Sequence, residues 1–361
     1  MSEIRPLRRE EIPQIAALYR FVDRSDWRIP PGDVPVWFER TLFGHPWVDP
    51  EIPTLVYEDD AGEILGFIAS HVRRLRFDGD TIRMGAAGPL IAHPKVRSRG
   101  VGAQLWRRYL AGPQELTATD GASDEMREIF ELIGGHMLHP SCIAWARVYR
   151  PFGFIGDRAL HARVWPREHL KLPARRVWSP LDSVATHAAR YFRAPGSPGT
   201  VSEPLTPALL MEHLPAVTRS LRLFPDYDQA FVEWLFAEQH HNRTWGEPVR
   251  RLVRSLDGRV LGWYMYFLLR AGSCHVLQIA AQRRHVGAVL DDLFADAIEG
   301  GGTAIQGRVE PLLLAPLAHR GAVFRYSPRS LVYSPHDDLL GVLMTDRALL
   351  TRLEGEWWMA T

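Results

Sequence analysis

The feature that most constrains this chain is an order of elements that occurs twice. Leu55-Val56-Tyr57-Glu58, a turn through Asp59-Asp60-Ala61-Gly62, and Ile64-Leu65-Gly66-Phe67 have a counterpart in Leu252-Val253-Arg254-Ser255, Asp257-Gly258 and Val260-Leu261-Gly262-Trp263. Each is a strand, an Asp/Gly turn and a returning strand that ends in Leu-Gly-aromatic. An apolar strand, a basic turn and an amphipathic helix then follow in both places: Ala86–Ile91, His93–Gly100 and Val101–Tyr109 in the first, Cys274–Ala281, Gln282–Gly287 and Val286–Ile298 in the second. Recurrence of three features in one order at similar separation reads as a duplicated structural unit. Strands and helices alternating in this way predict an α/β fold, with an α+β mixed sheet in each copy.

At 361 residues the chain exceeds what one hydrophobic core usually covers, so two domains are expected. The predicted boundaries are 1–164 for the first copy, 165–207 for a Pro-rich linker that includes Ala194-Pro195-Gly196-Ser197-Pro198-Gly199, and 208–361 for the second copy with a C-terminal tail. A net charge of +1 with scattered basic residues argues against nucleic acid and anionic membrane as partners. Two cysteines, Cys142 and Cys274, make no disulfide framework and suit a reducing, cytoplasmic setting. Met1-Ser2-Glu3-Ile4-Arg5 lacks the apolar core of a signal peptide, and the longest apolar run, Trp263–Leu269, is too short to span a bilayer.

The basic turn of the first copy carries the chemistry. His93-Pro94-Lys95-Val96-Arg97-Ser98-Arg99-Gly100-Val101-Gly102-Ala103 joins an apolar strand to a helix start. The first amides of a helix have no internal acceptors, and its dipole places partial positive charge there. Gly100 and Gly102 remove side chains that would hold a phosphate off the backbone, while Arg97 and Arg99 add charge and donors.

Arg97-x-x-Gly100-x-Gly102, between a strand ending in Ile91-Ala92-His93-Pro94 and an amphipathic helix, resembles the pyrophosphate loop of the GNAT acyltransferase superfamily. The order of elements over residues 4–155 resembles that family's fold, and the second half resembles a further, degenerate copy. The resemblance implies a tandem GNAT-like N-acyltransferase that moves an acetyl or other acyl group from acetyl-CoA, or another acyl-CoA, to an amine. It implies that Arg97, Ser98, Arg99, Gly100, Val101, Gly102 and Ala103 hold the pyrophosphate, and that backbone groups of Leu90 and Ile91 line the pantetheine and acyl carbonyl. The implied acceptor is a small-molecule or peptide amine; no metal is implied, and a homodimer is allowed. In the second copy His285 stands where the first glycine should, which implies loss of CoA binding.

The first copy departs from the family too. Phe130, in Ile129-Phe130-Glu131-Leu132-Ile133-Gly134, occupies the position at which members often carry a tyrosine to protonate the leaving thiolate. Strand Met84–Leu90 has no carboxylate to serve as base. Asp120 and Tyr149 are the remaining candidates for base and acid, each with a plain alternative: a turn residue in Thr119-Asp120-Gly121, and a core aromatic. Two other readings stay open: a non-catalytic acyl-CoA-binding or scaffold protein, and a FemAB-type aminoacyltransferase, which the near-neutral charge disfavours. His136-x-x-His139-x-x-Cys142 has no zinc-site spacing. Asp291, Asp292 and Asp296 read as the solvated face of the second amphipathic helix. The tail Leu349–Met359 carries Trp357-Trp358, which want burial. Docking on the second domain is its expected place; the alternative brings Glu354 or Glu356 to the acceptor pocket of the first.

Overall fold

A computed structural model describes residues 2–22, 33–154, 199–242 and 244–359. Residues 23–32 of the aromatic N-terminal segment and 155–198, most of the expected linker, lie outside these. Elements are numbered along the chain.

The chain forms two compact units that are not contiguous halves. The first comprises Met1–Cys142, Ser220–Thr244 and Pro328–Thr361, and the second Ile143–Arg219 and Trp245–Ser327. This differs from the contiguous boundaries expected at 164 and 207.

In the first unit, β1 (Glu3–Pro6), β2 (Leu55–Glu58), β3 (Ile64–Phe77), β4 (Asp80–Ala92), β5 (Leu116–Thr119) and β6 (His136–Met137) are joined by β9 (Leu223–Pro225) and β15 (Leu331–Tyr333). The sheet order is β1-β2-β3-β4-β5-β15-β6, with β9 paired to β3. Adjacent strands are antiparallel except β4 and β5, which are parallel. The β3–β4 hairpin turns at Asp78 and Gly79, both with positive φ, as an Asp-Gly turn requires. Helices α1 (Ile12–Val22) and α2 (Val34–Phe38) supply one apolar cluster with Phe67 and Ile91. Helices α3 (Pro94–Arg97), α4 (Val101–Leu110) and α5 (Asp124–Leu132) supply another with Ile68 and Val72.

In the second unit, β7 (Ile143–Val148), β8 (Thr200–Pro204), β10 (Glu247–Ser255), β11 (Val260–Leu268), β12 (Ser273–Ala281), β13 (Ala304–Arg308) and β14 (Val323–Tyr326) form a sheet of order β14-β7-β13-β12-β11-β10-β8. Its one parallel step is β12–β13. Along these paths the two sheets match position for position, and the sixth strand of each comes from the other half of the sequence; the first sheet also takes β9 from the second half. β7 follows β6 in the chain but pairs with β13 and β14. β15 follows β14 but pairs with β5 and β6. This reciprocal exchange is why contiguous boundaries fail. Hydrophobic alternation specifies that a strand exists and which of its faces is buried, not which half supplies its partners. A smaller difference concerns Phe152, expected in a closing strand: residues 151–154 are helical.

Leu331 is fully buried in β15, opposite Thr119 on one side and Met137 on the other. Leu331→Ala should therefore destabilise the first unit by about 2–5 kcal/mol, the cost of a large-to-small change in a packed core. A urea midpoint unchanged from that of the parent would show that the exchanged strand does not complete this sheet.

Candidate functional site

The first unit's parallel step is short. β4 and β5 pair over Met84–Leu116, Gly85–Thr117 and Ala86–Ala118, while β4 runs on to Ala92. Beyond Ala86, the β4 edge that faced β5 has no strand partner among the described residues. β4 also carries one extra residue here, because Ile68 pairs with Leu90 but Ser70 with Ala87. Such a bulge bends the strand and re-aims its groups. His71 fixes it from β3, with Nε2 3.1 Å from the Gly88 carbonyl and Nδ1 3.3 Å from the Thr41 carbonyl.

At the end of β4 lies the basic loop. His93 caps α3 by accepting the Lys95 N–H, and Gly100 takes the left-handed conformation, φ 67°, just before α4. No side chain caps α4, so the first-turn amides of Val101, Gly102 and Ala103 lack the usual acceptor. The amides of Arg99 and Gly100 are already spent on the carbonyls of Val96 and Arg97, at 3.0 Å each. The amides left for an anion are therefore those of Val101, Gly102 and Ala103, not those of Arg99 and Gly100. Arg97, Ser98 and Arg99 are exposed beside them, and Leu90 lies 3.5 Å from where a Cβ on Gly102 would stand. Ile91 faces the α1–α2 cluster instead, so only its backbone could serve the site.

The C-terminal segment reaches the splayed strands, contrary to the expectation that it docks on the second copy. Leu349 N–H bonds the Leu223 carbonyl at 2.9 Å, and Trp358 Nε1 bonds the Leu353 carbonyl at 3.0 Å. Glu354 accepts from the N–H and hydroxyl of Thr351, at 2.7 Å each, and from the Tyr227 hydroxyl. Arg73 on β3, fully buried, donates to the Glu354 carbonyl at 3.2 Å. Desolvation lowers the Arg73 pKa to about 10, against the support of the Glu354 charge.

Glu356 is the residue set into the splay. Its Oε1 accepts the Thr119 hydroxyl and the Asp120 N–H, both at 2.7 Å. Its other oxygen, Oε2, is buried with no hydrogen-bond partner among the described residues. A Cβ on Gly88 would stand 3.0 Å from the Glu356 Cγ, so glycine at the bulge is what admits this side chain. Burial, and next the nearby Asp120 charge, push the Glu356 carboxyl up to about 7. Asp120 is itself buried: Oδ1 accepts the Ser330 hydroxyl at 2.8 Å, and Oδ2 faces Arg352 Nε at 3.8 Å. The Arg352 guanidinium in turn lies over the Trp357 ring, 4.3 Å from its centroid. Sequence reasoning named Glu356 only through the oddity of a tryptophan-rich tail; Thr119, Ser330 and Arg352 gave no signal, because nothing local marks them.

Tyr149 belongs to the second unit, while Asp120 belongs to the first. The Tyr149 ring packs against Phe294 and Trp145 in the second core, and burial pushes its hydroxyl well above the ordinary value. Phe130 is fully buried and meets Trp106 edge to face at 4.7 Å. The second basic turn is not a copy of the first. Its His285 has φ −108° where Gly100 is left-handed, and a Cβ on Gly287 would stand 2.7 Å from Arg320 Nη2.

The acidic face of helix Val286–Glu299 is not solvated as expected. Asp292 accepts Tyr264 OH at 2.8 Å and Thr200 Oγ1 at 2.6 Å, Asp296 accepts Tyr266 OH at 2.9 Å, and Arg320 clasps Asp291. Tyr264 and Tyr266 share a strand face, and Asp292 and Asp296 a helix face, so the two periodicities meet. Cys142 donates to the Ser330 carbonyl. Among the described residues no group of three His, Cys, Asp or Glu is placed to hold a metal, and no helix is long and apolar enough to cross a membrane.

Three buried groups set opposing pH dependences. His45 and His71, held near about 2 and about 3 by burial and then by Arg73, refuse protons that the unfolded chain takes below about 6.5. They cost stability as pH falls. Glu356 keeps a proton up to about 7 that an unfolded glutamate loses near 4.5, so it costs stability as pH rises through that window. Two and a half pH units at about 1.4 kcal/mol each give about 3 kcal/mol. Glu356→Gln, which keeps the Oε1 acceptor, should stabilise the protein by about that order at pH 8 and by little at pH 4.5. Denaturant unfolding at the two pH values checks this, and equal effects at both would contradict the shifted carboxyl.

No family model and no curated protein sequence matches the chain. Solved structures do. A conserved Enterococcus faecalis V583 protein described as a probable N-acyltransferase superimposes with a TM-score of 0.57 at 12% identity, covering 92% of this chain and 72% of its own. A GCN5-related N-acetyltransferase from Anabaena variabilis does so at 0.57 and 11%, covering 93% and 74%. The N-myristoyltransferase of Saccharomyces cerevisiae, solved with bound myristoyl-CoA, gives 0.53 at 10%, covering 92% and 82%. At such identities the likeness is one of fold. Two mixed sheets of one strand order, each with a single parallel step, and these superpositions over most of the chain give this protein the fold of the GNAT superfamily in its tandem form.

Proposed function

We propose that the protein is an N-acyltransferase that moves an acetyl group from acetyl-CoA to a primary amine, with the donor bound in the first unit. The observation that carries this reading is the uncapped start of α4 after left-handed Gly100, at the end of a strand whose neighbour has splayed away. Three unpaired amides, the α4 dipole and the exposed Arg97 and Arg99 suit a pyrophosphate. From Ala92 back to the bulge at Gly88 the strand spans roughly 13 Å, a distance that an extended pantetheine arm covers. The exposed β4 edge offers that arm strand-like hydrogen bonds through Leu90, and the acyl carbonyl would arrive beside Gly88.

In this reading the second copy holds no donor. Its helix start lacks the left-handed turn, and Arg320 fills the space at Gly287. Phe130 favours a second reading, a protein that binds acyl-CoA without turning it over, because the buried ring has no proton to give a leaving thiolate.

Calorimetry of the full chain with acetyl-CoA, and CoA release in the presence of alkylamines, amino sugars and lysine-bearing peptides, test both readings. Acetyl-CoA should bind, and at least one amine should release CoA. Gly100→Glu should weaken acetyl-CoA about 10- to 100-fold, by placing a carboxylate at the anion site and straining a left-handed position. Nothing lies within 4 Å of a Cβ there, so the loss would report on the ligand and not on a clash. Unchanged affinity in the folded variant would remove the loop from the donor site. Tight binding with no release of CoA by any amine would favour the second reading.

A further inference from the structure

We infer that Glu356, from the C-terminal segment, is the base that takes the proton from the acceptor amine. The inference rests on the acyl-transfer reading above and names the residue that the first copy's own strands do not supply.

Four observations converge on it. The side chain lies at the bulge of β4 and the end of β5, against Gly88, Thr119 and Asp120, where the strands have parted. One oxygen is fixed by two donors, which leaves Oε2 as the reactive atom, buried and without a hydrogen-bond partner among the described residues. Asp120, the carboxylate expected to be the base, is instead engaged by Ser330 and Arg352, while its N–H holds Glu356. Asp120 is thus a positioning residue. Finally, a carboxyl held near about 7 is matched to proton transfer at neutral pH, where an ordinary glutamate is too weak a base.

The charged and titratable groups around Glu356 come from every element packed on it: Asp120 from the end of β5, Arg73 and His71 from β3, Tyr109 from α4, and Arg352 and Glu354 from its own segment. Arg73 favours the carboxylate and Asp120 opposes it. The acceptor's ammonium gives one proton to Oε2, and the neutral nitrogen then bonds to the thioester carbonyl carbon. The C–S bond breaks, the second nitrogen proton ends on the CoA sulfur, and Glu356 returns its proton to water.

The test uses the full chain, acetyl-CoA, and the primary amine that releases CoA fastest. The parent's kcat/KM should fall about tenfold per pH unit below an apparent pKa near 7. Glu356→Gln should bind acetyl-CoA within about threefold of the parent, turn over at least about 100-fold more slowly and lose that acid limb. Two further variants read the same group without removing it. Thr119→Val takes away a hydrogen bond to the charged form and should move the limb to higher pH; Asp120→Asn takes away a like charge and should move it to lower pH. These two decide the matter should Glu356→Gln fail to fold. Turnover of Glu356→Gln within threefold of the parent, or a limb unmoved in both other variants, overturns the inference while donor binding and transfer stand. A parent that binds acetyl-CoA but acylates no amine overturns it together with the transfer reading.

Discussion

The first unit depends on where one parallel strand pairing stops. β4 and β5 are held together for three residue pairs and then part, and a bulge at the same level turns the β4 backbone. Parted strands leave peptide groups that must be satisfied by something other than a neighbouring strand. The C-terminal segment meets part of that demand, since the Asp120 N–H and Thr119 hydroxyl find their acceptor in Glu356. The length of β4 from Gly88 to Ala92, which leads through α3 to the uncapped start of α4, is the remainder. Under the acyl-transfer proposal, this open edge and the uncapped start of α4 are where a long ligand with a charged end would lie.

The two sheets differ little outside their basic turns. The second sheet keeps the strand order, the single parallel step, and even an extra residue on β12, where Met265 pairs with Gln278 but Tyr266 with Val276. What it lacks is local. A residue with a Cβ replaces the left-handed glycine, so the backbone enters the helix by another path. An arginine anchored on Asp291 then lies against the helix start. The tyrosines of β11 and the aspartates of the facing helix close the rest into a hydrogen-bonded core. The copy is preserved as architecture.

Much of this was legible in the sequence, for a reason that also limits it. Hairpins, the strand before the loop and the helix after it declare themselves through alternation, Asp-Gly turns and helical spacing, all of which are local. The repeat extended that reading to the whole fold. Exchange of β7 and β15 is not local: Leu331-Val332-Tyr333 reads as a strand in either sheet, and only the assembled core selects β5 and β6. Asp292 and Asp296 looked solvated for the same reason, because the tyrosines that bury them lie some thirty residues away in sequence. Tyr149 read as a candidate acid by type alone, while its place in the second core is decided by Phe294 and Trp145.

A terminal segment frays unless its burial offsets the entropy of ordering it. Here Trp358, fully buried, and the Glu354–Arg73 contact hold it down. That anchoring is what permits Glu356 to remain in a place that penalises its charge. A carboxylate free to swing out to water would do so and return to an ordinary pKa. The two tryptophans that made the tail conspicuous in the sequence thus divide the work. Trp358 secures the segment, and Trp357 lies under the Arg352 guanidinium and beside Gly121. A segment far from β5 in sequence reaches its end because the exchange of β15 has already carried the chain there.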